Sequence, residues 1–177
     1  LPLMIAIPVL ETERLRLTQL GEHHFETYAA MLADESSTRF IGDGLPLDRM
    51  NAWRSMAMLL GHWVLRGYAM WAVELRETGQ FVGRVGLHNP DGWPDVELGW
   101  MLAPAHRHHG YATEAAAAVL RHAFDTLGFA RVISLIRVEN SASERVARRL
   151  GGRQNTTVDF LGKATLVYTY YPSEADG

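Results

Sequence analysis

Cysteine is absent from the 177 residues of this chain. Its absence excludes disulfide bonds, thiolate metal sites and a cysteine nucleophile at once. Because thiol-free chains are compatible with the cytoplasm, we expect a cytoplasmic protein.

A long apolar run and an excess of one charge are also missing. The apolar opening ends at Leu10, is too short to span a bilayer and lacks the charged start of a signal peptide. We therefore expect an N-terminal arm or first strand, and no association with membranes. The formal net charge is −3, and acidic and basic residues are nearly balanced. This balance gives no reason to expect binding to nucleic acid.

What the chain does contain is a series of strand and helix patterns. Strand patterns cover residues 14–20, 68–76, 81–89, 96–103, 130–138, 156–160 and 164–171. Helical periodicity covers residues 22–34, 47–66, 112–127 and 140–150. Because hairpins alternate with crossover helices, we predict one α/β (α+β) domain over residues 1–177. Its centre is expected to be a mixed, mostly antiparallel sheet of about seven strands flanked by helices.

Local features are predicted from the same patterns. The second helix is expected to bury a stripe of residues at helical spacing, namely Leu47, Met50, Trp53, Ala57, Leu60 and Val64. Ser141 and Glu144 have the spacing of a capping box. We expect His23 and His24 on a surface helix, and Trp93, in a turn cluster, as a lid or interface residue.

The stretch ELGWMLAPAHRHHGYATEA, residues 97–115, combines a strand, a turn and a helix start. Pro104 ends the strand because it cannot donate to a ladder, and Gly110 allows a backbone conformation that other residues resist. The helix that starts near Ala112 leaves its first N–H groups free, and those groups attract an anion. Arg107 adds a permanently charged fork. This geometry suits a phosphate or pyrophosphate, and it is neither a Walker A loop nor a three-glycine dinucleotide fingerprint.

Arg107-x-x-Gly110-x-Ala112 resembles the Q/R-x-x-G-x-G/A motif of the GNAT N-acetyltransferase superfamily. The helix GYATEAAAAVLRHAFDTLG resembles the branch that contains the RimJ and RimL ribosomal-protein acetyltransferases. Three further segments are similar to that branch in the same order: ETERLRL, GQFVGRVGL and ENSASERVARRLG.

The resemblance implies that the loop binds the pyrophosphate of coenzyme A and that the preceding strand splays at a bulge to pair with the pantetheine arm. The implied cofactor-binding residues are Trp100, Met101, Leu102, Arg107, His108, His109, Gly110, Tyr111, Ala112, Thr113, Asn140 and Ser143. Many relatives carry a glycine at the position of His108. Some branches carry a tyrosine acid where this chain has Ala147.

The implied reaction moves an acetyl group from acetyl-CoA to a primary amine, either a protein N-terminus or a small molecule. Without cysteine, direct attack by the amine is the economical mechanism. Glu97 is the first candidate for the general base, His88 the second and Asp159 the third. Ser143 is the candidate acid, by resemblance. The strand at Met101 and Leu102 could supply an N–H donor to the oxyanion.

Blander interpretations stay open beside these. Glu97 could be a strand carboxylate in a salt bridge, and Asn140 could be a helix cap with no ligand. His106, His108 and His109 lack a carboxylate partner, so we expect no metal. Two other functions compete with the enzyme: a non-catalytic acyl-CoA sensor of the same fold, and a nucleotide-binding module without specificity for coenzyme A. A homodimer is one way to cover an exposed sheet edge.

Overall fold

The structure is a computed structural model that describes residues 5–173. The strands are β1 (Leu10–Glu11), β2 (Leu15–Thr18), β3 (Met70–Leu75), β4 (Phe81–His88), β5 (Glu97–Leu102), β6 (Val132–Arg137), β7 (Arg153–Phe160) and β8 (Lys163–Tyr170). The helices are α1 (Phe25–Ala33), α2 (Glu35–Thr38), α3 (Arg49–Arg66), α4 (Tyr111–Arg121) and α5 (Ser141–Arg149). Each predicted strand and helix is present, and β1 adds a two-residue strand.

The strands form one eight-stranded sheet in the order β1-β2-β3-β4-β5-β6-β8-β7. Neighbouring strands are antiparallel, with the exception of the parallel pair β5 and β6. The predicted mixed, mostly antiparallel sheet flanked by helices is thus confirmed. The β5–β6 connection is parallel because α4 crosses over the sheet between the two strands.

Apolar side chains of the sheet pack on both faces. On one face, Trp71, Val85 and Leu98 lie in a cluster with the apolar side of α4. On the other face, Met70 and Met101 pack against residues of α1 and α3. Because side chains alternate along a strand, neighbouring residues of β5 serve opposite faces. Leu98 is therefore core on the α4 side, whereas Glu97 and Gly99 lie on the α1 and α3 side.

The buried stripe predicted for α3 is wrong. Met50, Trp53 and Val64 are 59%, 50% and 50% exposed, and the buried face is instead formed by Ala52, Met56, Leu59, His62 and Trp63. Both faces of this helix are apolar, so hydrophobic spacing cannot choose between them. Polar anchors select the face: Trp63 Nε1 donates to the Met70 carbonyl at 3.2 Å, and His62 Nδ1 lies 2.6 Å from the Tyr68 carbonyl. Of the tryptophans and methionines in residues 50–71, most are nonetheless buried, as expected.

The predicted capping box at Ser141 and Glu144 is also wrong. Asn140 is the N-cap of α5, and its side-chain oxygen accepts from the Ser143 amide. The Glu144 carboxylate instead accepts from Arg148 and from the Tyr168 hydroxyl. Asn is as good an N-cap as Ser, so the cap lies one residue earlier than the box places it.

His24 does not lie on the surface, contrary to the prediction. It is 4% exposed, its Nδ1 accepts from the Gly21 amide, and its Nε2 lies 2.7 Å from a Glu74 oxygen. The neighbouring His23 is exposed. Across residues 5–173, none of the helices is both long enough and apolar enough to cross a membrane.

The sheet opens between β5 and β6. Only Glu97 and Ile133 are paired across these two strands, which then diverge. The expected splay is therefore present. The expected bulge is not in β5, whose register against β4 is unbroken from Glu97 to Leu102. The register shift lies one strand away, between β3 and β4 at Val73 and Glu74.

Candidate functional site

Two adjoining cavities lie at the opening of the sheet. The larger, about 530 Å³, is lined by the loop before α4 and by the start of α5, and we call it the loop cavity. The smaller, about 310 Å³, lies on the α1 and α3 face of the sheet and contains Glu97, and we call it the sheet cavity. Both are lined by Phe40, Ile41, Trp100 and Met101, so they meet along the free edge of β5.

The loop before α4 presents free backbone donors to the loop cavity. Gly110 is the N-cap with a φ of 80°, and it provides no side-chain oxygen to the helix. Within residues 5–173, the amides of Tyr111, Ala112 and Thr113 have no hydrogen-bond partner, as the first turn of a helix dictates. His108 also has a left-handed φ, 65°, which is a conformation that favours glycine. The helix dipole and these amides together make an anion site.

The Arg107 guanidinium is already occupied by protein groups. It donates to the Leu102 carbonyl at 3.2 Å and to the hydroxyls of Ser36 and Ser37 at 3.0 and 2.7 Å. Asp34 lies 3.8 Å from it. The arginine therefore ties the loop to α2, and it also lines the loop cavity.

The outer side of the loop is fixed by a separate set of contacts. Arg14 donates to the His109 carbonyl at 2.9 Å, stacks over the Tyr111 ring and pairs with Glu114 at 2.7 Å. The His109 ring stacks on Tyr111 and does not line the loop cavity. His109 thus supports the loop from behind, whereas the other predicted loop residues face the cavity.

The free edge of β5 supplies further backbone donors. The Ala103 amide donates to the Val82 carbonyl, so by alternation the Met101 amide points toward β4. The amides of Trp100 and Leu102 then point into the gap that β6 has left. Leu102, and not Met101, is therefore the strand residue that could supply an oxyanion donor.

Ser143 lines the loop cavity beside Trp100, at the free edge of β5. Its hydroxyl oxygen lies 3.2 Å from Trp100 Nε1 and 3.0 Å from Asn140 Nδ2, and both of these groups can only donate. Asn140 is fixed in this orientation because its oxygen accepts from the Ser143 amide. Two donors fill the lone pairs of the Ser143 oxygen, so its own proton points elsewhere. The geometry makes Ser143 a donor to any acceptor in the gap.

Glu97 lies in the wall of the sheet cavity at the point where β5 and β6 part. Its carboxylate accepts from Trp93 Nε1 at 2.7 Å and from the Leu135 amide. Burial outweighs these bonds and the nearby arginines, and raises the pKa of Glu97 to about 7. A carboxyl group with this pKa can exchange a proton at neutral pH.

The other base candidates fit less well. His88 is the cross-strand partner of Glu97, but burial and the charges of His62 and Arg84 lower its pKa to about 4. Its Nδ1 is buried without a hydrogen-bond partner among residues 5–173. Asp159 is exposed, bonds the Gly162 amide in the β7–β8 turn, and lines neither cavity. Trp93 is a cavity-wall residue, between the rings of His88 and Phe160.

Four arginines of the site were missed by the sequence reasoning. Arg145 and Arg149 lie one turn apart on α5 and line the loop cavity, and neither pairs with a carboxylate of the described chain. Their i, i+4 spacing after Asn140 was a usable signal. Arg84 and Arg137 line the sheet cavity. Their strands read as apolar, so only the sheet register shows that they share a face with Glu97.

Among residues 5–173, the loop histidines His106, His108 and His109 do not form a cluster with metal-ligand spacing. A close group of metal-ligand type among the described residues is formed by His23, His24 and Glu74, whose ligand atoms lie within 4.8 Å of one another. Both ring nitrogens of His24 are used in protein hydrogen bonds. The buried His24 and its partner Glu74 thus form a structural contact.

Comparison with known proteins places this geometry in context. The family model of the acetyltransferase (GNAT) domain matches residues 14–153. An acetyltransferase structure from Agrobacterium tumefaciens strain C58 is similar with a TM-score of 0.86 and 35% identity, over 96% of this chain and 98% of that one. The uncharacterized N-acetyltransferase YoaA of Bacillus subtilis is 27% identical over 81% of this chain and 82% of its own length. RimL, a ribosomal L7/L12 α-N-protein acetyltransferase solved with coenzyme A, has a TM-score of 0.79 at 16% identity, over 93% and 98% of the two chains, and is similar in fold alone.

Proposed function

Because the chain belongs to the GNAT acetyltransferase family, we propose that it moves an acetyl group from acetyl-CoA to a primary amine. One observation carries this proposal: the free amides of the α4 N-terminus and the free amides of β5 line one continuous space. A ligand that fits this space has a doubly charged phosphate region and a narrow amide-bearing arm. Coenzyme A has both.

Residues of the loop cavity fit the phosphates of coenzyme A. The amides of Gly110 to Thr113 would hold the pyrophosphate, and the unpaired Arg145 and Arg149 add positive charge beside it. The gap amides of Trp100 and Leu102 would pair with the arm in the manner of an added strand. Bound acetyl-CoA supplies a thioester carbonyl, which an amine can attack.

Glu97 is proposed as the general base. It would accept the proton of the acceptor ammonium, so that the neutral amine attacks the thioester carbonyl carbon and the C–N bond forms. Its raised pKa, about 7, matches this task, whereas a His88 pKa of about 4 makes the imidazole a weak base. Glu97 therefore ranks before His88 as the general base.

Leu102 and Ser143 are proposed to stabilise the two negative charges that develop in the reaction, on the thioester oxygen and on the leaving sulfur. The Leu102 amide would donate to the oxygen that becomes an oxyanion. The Ser143 hydroxyl, whose lone pairs are filled by Trp100 and Asn140, would donate its proton to the sulfur as the C–S bond breaks. The second proton that the attacking nitrogen loses would restore the Ser143 hydroxyl. The chain has no cysteine, so the acetyl group passes directly to the amine.

The branch and the acceptor are parts of the proposal. The segments ETERLRL and ENSASERVARRLG support a RimJ/RimL-like enzyme, for which a protein N-terminus is one acceptor. A small-molecule amine is the other. A non-catalytic acyl-CoA sensor would bind the same ligand but release no thiol with any amine.

The test combines ligand-induced unfolding shifts with thiol release. Gly110→Trp disrupts the anion loop, because its Cβ would lie 3.4 Å from the Arg14 guanidinium that fixes the loop and because a φ of 80° favours glycine. Gly79→Trp is the matched control because Gly79 has a similar φ of 72° in the β3–β4 turn and lines neither cavity. Acetyl-CoA at a hundredfold excess over its dissociation constant should stabilise the wild type by about 3 kcal/mol. The shift should persist in Gly79→Trp, vanish in Gly110→Trp and be absent with ATP.

Thiol release with a panel of amines then separates the enzyme from the sensor. No stabilisation by acetyl-CoA would refute the proposal. Stabilisation without thiol release from any amine would favour the sensor instead.

A further inference from the structure

The sheet cavity contains two arginines that no carboxylate neutralises. Within residues 5–173, neither Arg84 nor Arg137 has an acidic oxygen within 4.0 Å. The Arg84 guanidinium makes no hydrogen bond there, and its Cζ lies over the Tyr28 ring, 6.0 Å from the ring centroid. Half-buried arginines are ordinarily paired with an acidic group. Arg84 is an exception, and its N–H donors are therefore available in the cavity wall.

Arg137 is more deeply buried, at 7% exposure, and rigidly held. Its Nη1 donates to the Phe160 carbonyl and to the Thr165 hydroxyl, both at 2.7 Å, and its Nη2 donates to the Gly42 carbonyl at 3.2 Å. These neutral acceptors fix the side chain but do not cancel its charge. Two of its five N–H donors remain without a partner in the described chain.

The negative charge in this cavity is smaller than the positive charge. Asp43 lies at the exposed mouth, where it accepts from the Leu45 amide, and Glu97 lies at the base. Burial keeps much of the Glu97 population protonated at neutral pH. His88 is neutral there. A purely cationic acceptor would therefore face two guanidinium groups and little opposing charge.

The mouth of the cavity is apolar. Four exposed side chains line it: Ile41, Leu45, Met58 and Leu161. Phe160 and Trp93 continue this surface inward, edge to face at 5.1 Å. An acceptor that spans the cavity would cover this apolar rim with its own body.

We propose that the amine acceptor carries an anionic group, a carboxylate or a phosphate, that binds between Arg84 and Arg137, and an apolar body that covers the rim. This inference rests on the proposed function and names its substrate class. Guanidinium groups bind both anions through parallel N–H bonds. The anion orients the acceptor so that its amine faces Glu97 on the neighbouring strand. Polyamines and aminoglycosides, which are polycations, are excluded as good acceptors.

Matched acceptors test the charge directly. Thiol release would be measured with L-phenylalanine and L-phenylalaninamide, which differ in the carboxylate, and with the aminophosphonate of phenylalanine and its diethyl ester. Spermidine serves as the cationic probe. We expect at least a tenfold higher kcat/KM for each anionic member than for its neutral partner, and the two pairs distinguish a carboxylate from a phosphate site.

Variants assign the preference to the cavity. Arg84→Gln should abolish it, mainly by raising KM for the anionic acceptor, and it should fold normally because Arg84 makes no hydrogen bond. Arg137→Lys keeps the charge of the buried position and should retain part of the preference. The control is Arg54→Gln, an exposed α3 guanidinium that lines neither cavity.

Equal or faster turnover of the neutral partners or of spermidine would overturn the inference, as would a preference that survives Arg84→Gln. A second readout does not need turnover: N-acetyl-L-phenylalanine should raise the unfolding temperature of the CoA-saturated protein more than its amide does. Absence of that difference, when no panel member is acetylated, also overturns it. Failure of the proposed function is separate, since it shows as no stabilisation by acetyl-CoA itself.

Discussion

Glu97 accepts two hydrogen bonds, from Trp93 and Leu135, and still holds its proton to about pH 7. Hydrogen bonds to a carboxylate and the nearby arginines lower its pKa, and loss of hydration raises it by more. At the residue scale, the balance between these two opposing effects on the pKa decides whether Glu97 can act as a base. The folded pKa exceeds the ordinary value of 4.5, so folding holds a proton that the unfolded chain has released above that pH.

Two measurements on Glu97→Gln follow from this. Turnover of the wild type should rise with pH through about 7, and the variant should lose roughly 10²- to 10⁴-fold in kcat/KM. The free energy of unfolding of the wild type should fall over the pH range in which its turnover rises. The wild type loses stability as the pH rises from about 4.5 to about 7, and the variant should not, so it gains on the order of 2 kcal/mol at pH 8.

Denaturant unfolding at pH 5 and pH 8, run beside the rate profile, checks both halves. His88→Ala is the comparison for the rate, because a group with a pKa of about 4 does not titrate in this window. Normal turnover by Glu97→Gln across the whole pH range would remove Glu97 from the mechanism.

Sequence alone could place Glu97 but not its environment. Strand alternation put Glu97 on the face opposite Val96 and Leu98, and in the structure it lines the sheet cavity on that face. Arg137 lies in the segment VISLIR, which has the pattern of a buried strand. Only the register of β5, β6 and β8 shows that its charge lies on the same face of the sheet as Glu97. Side chains that meet between elements, such as Ser143 of α5 and Trp100 of β5, are far apart in sequence and carry no local signal.

At the element scale, the β7–β8 hairpin contains an unusual turn. Leu161 and Gly162 form its two-residue loop, and both have positive φ, 53° and 74°. This is the backbone of a type I′ turn, which favours Asn-Gly. A leucine in this conformation costs about 1 kcal/mol or more. Its side chain lies at the mouth of the sheet cavity.

Replacing this leucine should separate stability from binding. Leu161→Asn should raise the free energy of unfolding by about 1 kcal/mol, since Asn-Gly is the preferred sequence of the turn. It should also raise KM for an apolar acceptor by removing part of the rim. Leu45→Asn is the matched variant, because Leu45 lines the same mouth without a positive φ and should raise KM with no gain in stability. A Leu161→Asn protein that is no more stable than the wild type would contradict the strain argument.

Helix α3 shows what element patterns leave undecided. Its limits were predicted well, because Asp48 caps the start and Gly67, with a φ of 78°, ends it. Its buried face was not, because two apolar stripes compete and their difference is set by His62 and Trp63 bonds to backbone groups of the following segment. Those bonds exist only after the helix has packed on the sheet.

At the scale of the whole molecule, the opening between β5 and β6 leaves unpaired amides in the middle of the sheet. Acetyl-CoA should protect the amides of Trp100 and Leu102 from hydrogen exchange by about five- to tenfold beyond its effect on the rest of the sheet, since each gains one hydrogen bond. Native-state exchange followed by NMR measures this. The Met101 amide, which points to β4, is the internal reference. Equal protection of all three amides would contradict pairing along this edge.

The two outer edge strands of the sheet, β1 and β7, are poor templates for pairing with another chain. β1 has two residues, and β7 exposes a polar run, RQNTT, at its start. Short or polar edges need no partner, so neither border of the sheet requires a second copy for cover.

The unpaired edge that remains is internal, and this position has a consequence for aggregation. An open strand edge on a surface recruits other polypeptides, and chains with such edges polymerise. Here the edge lies inside the sheet between β5 and β6, and the start of α5 borders it. The fold thus places its unpaired strand edge in the interior of the sheet, where edge-to-edge pairing with other chains is hindered.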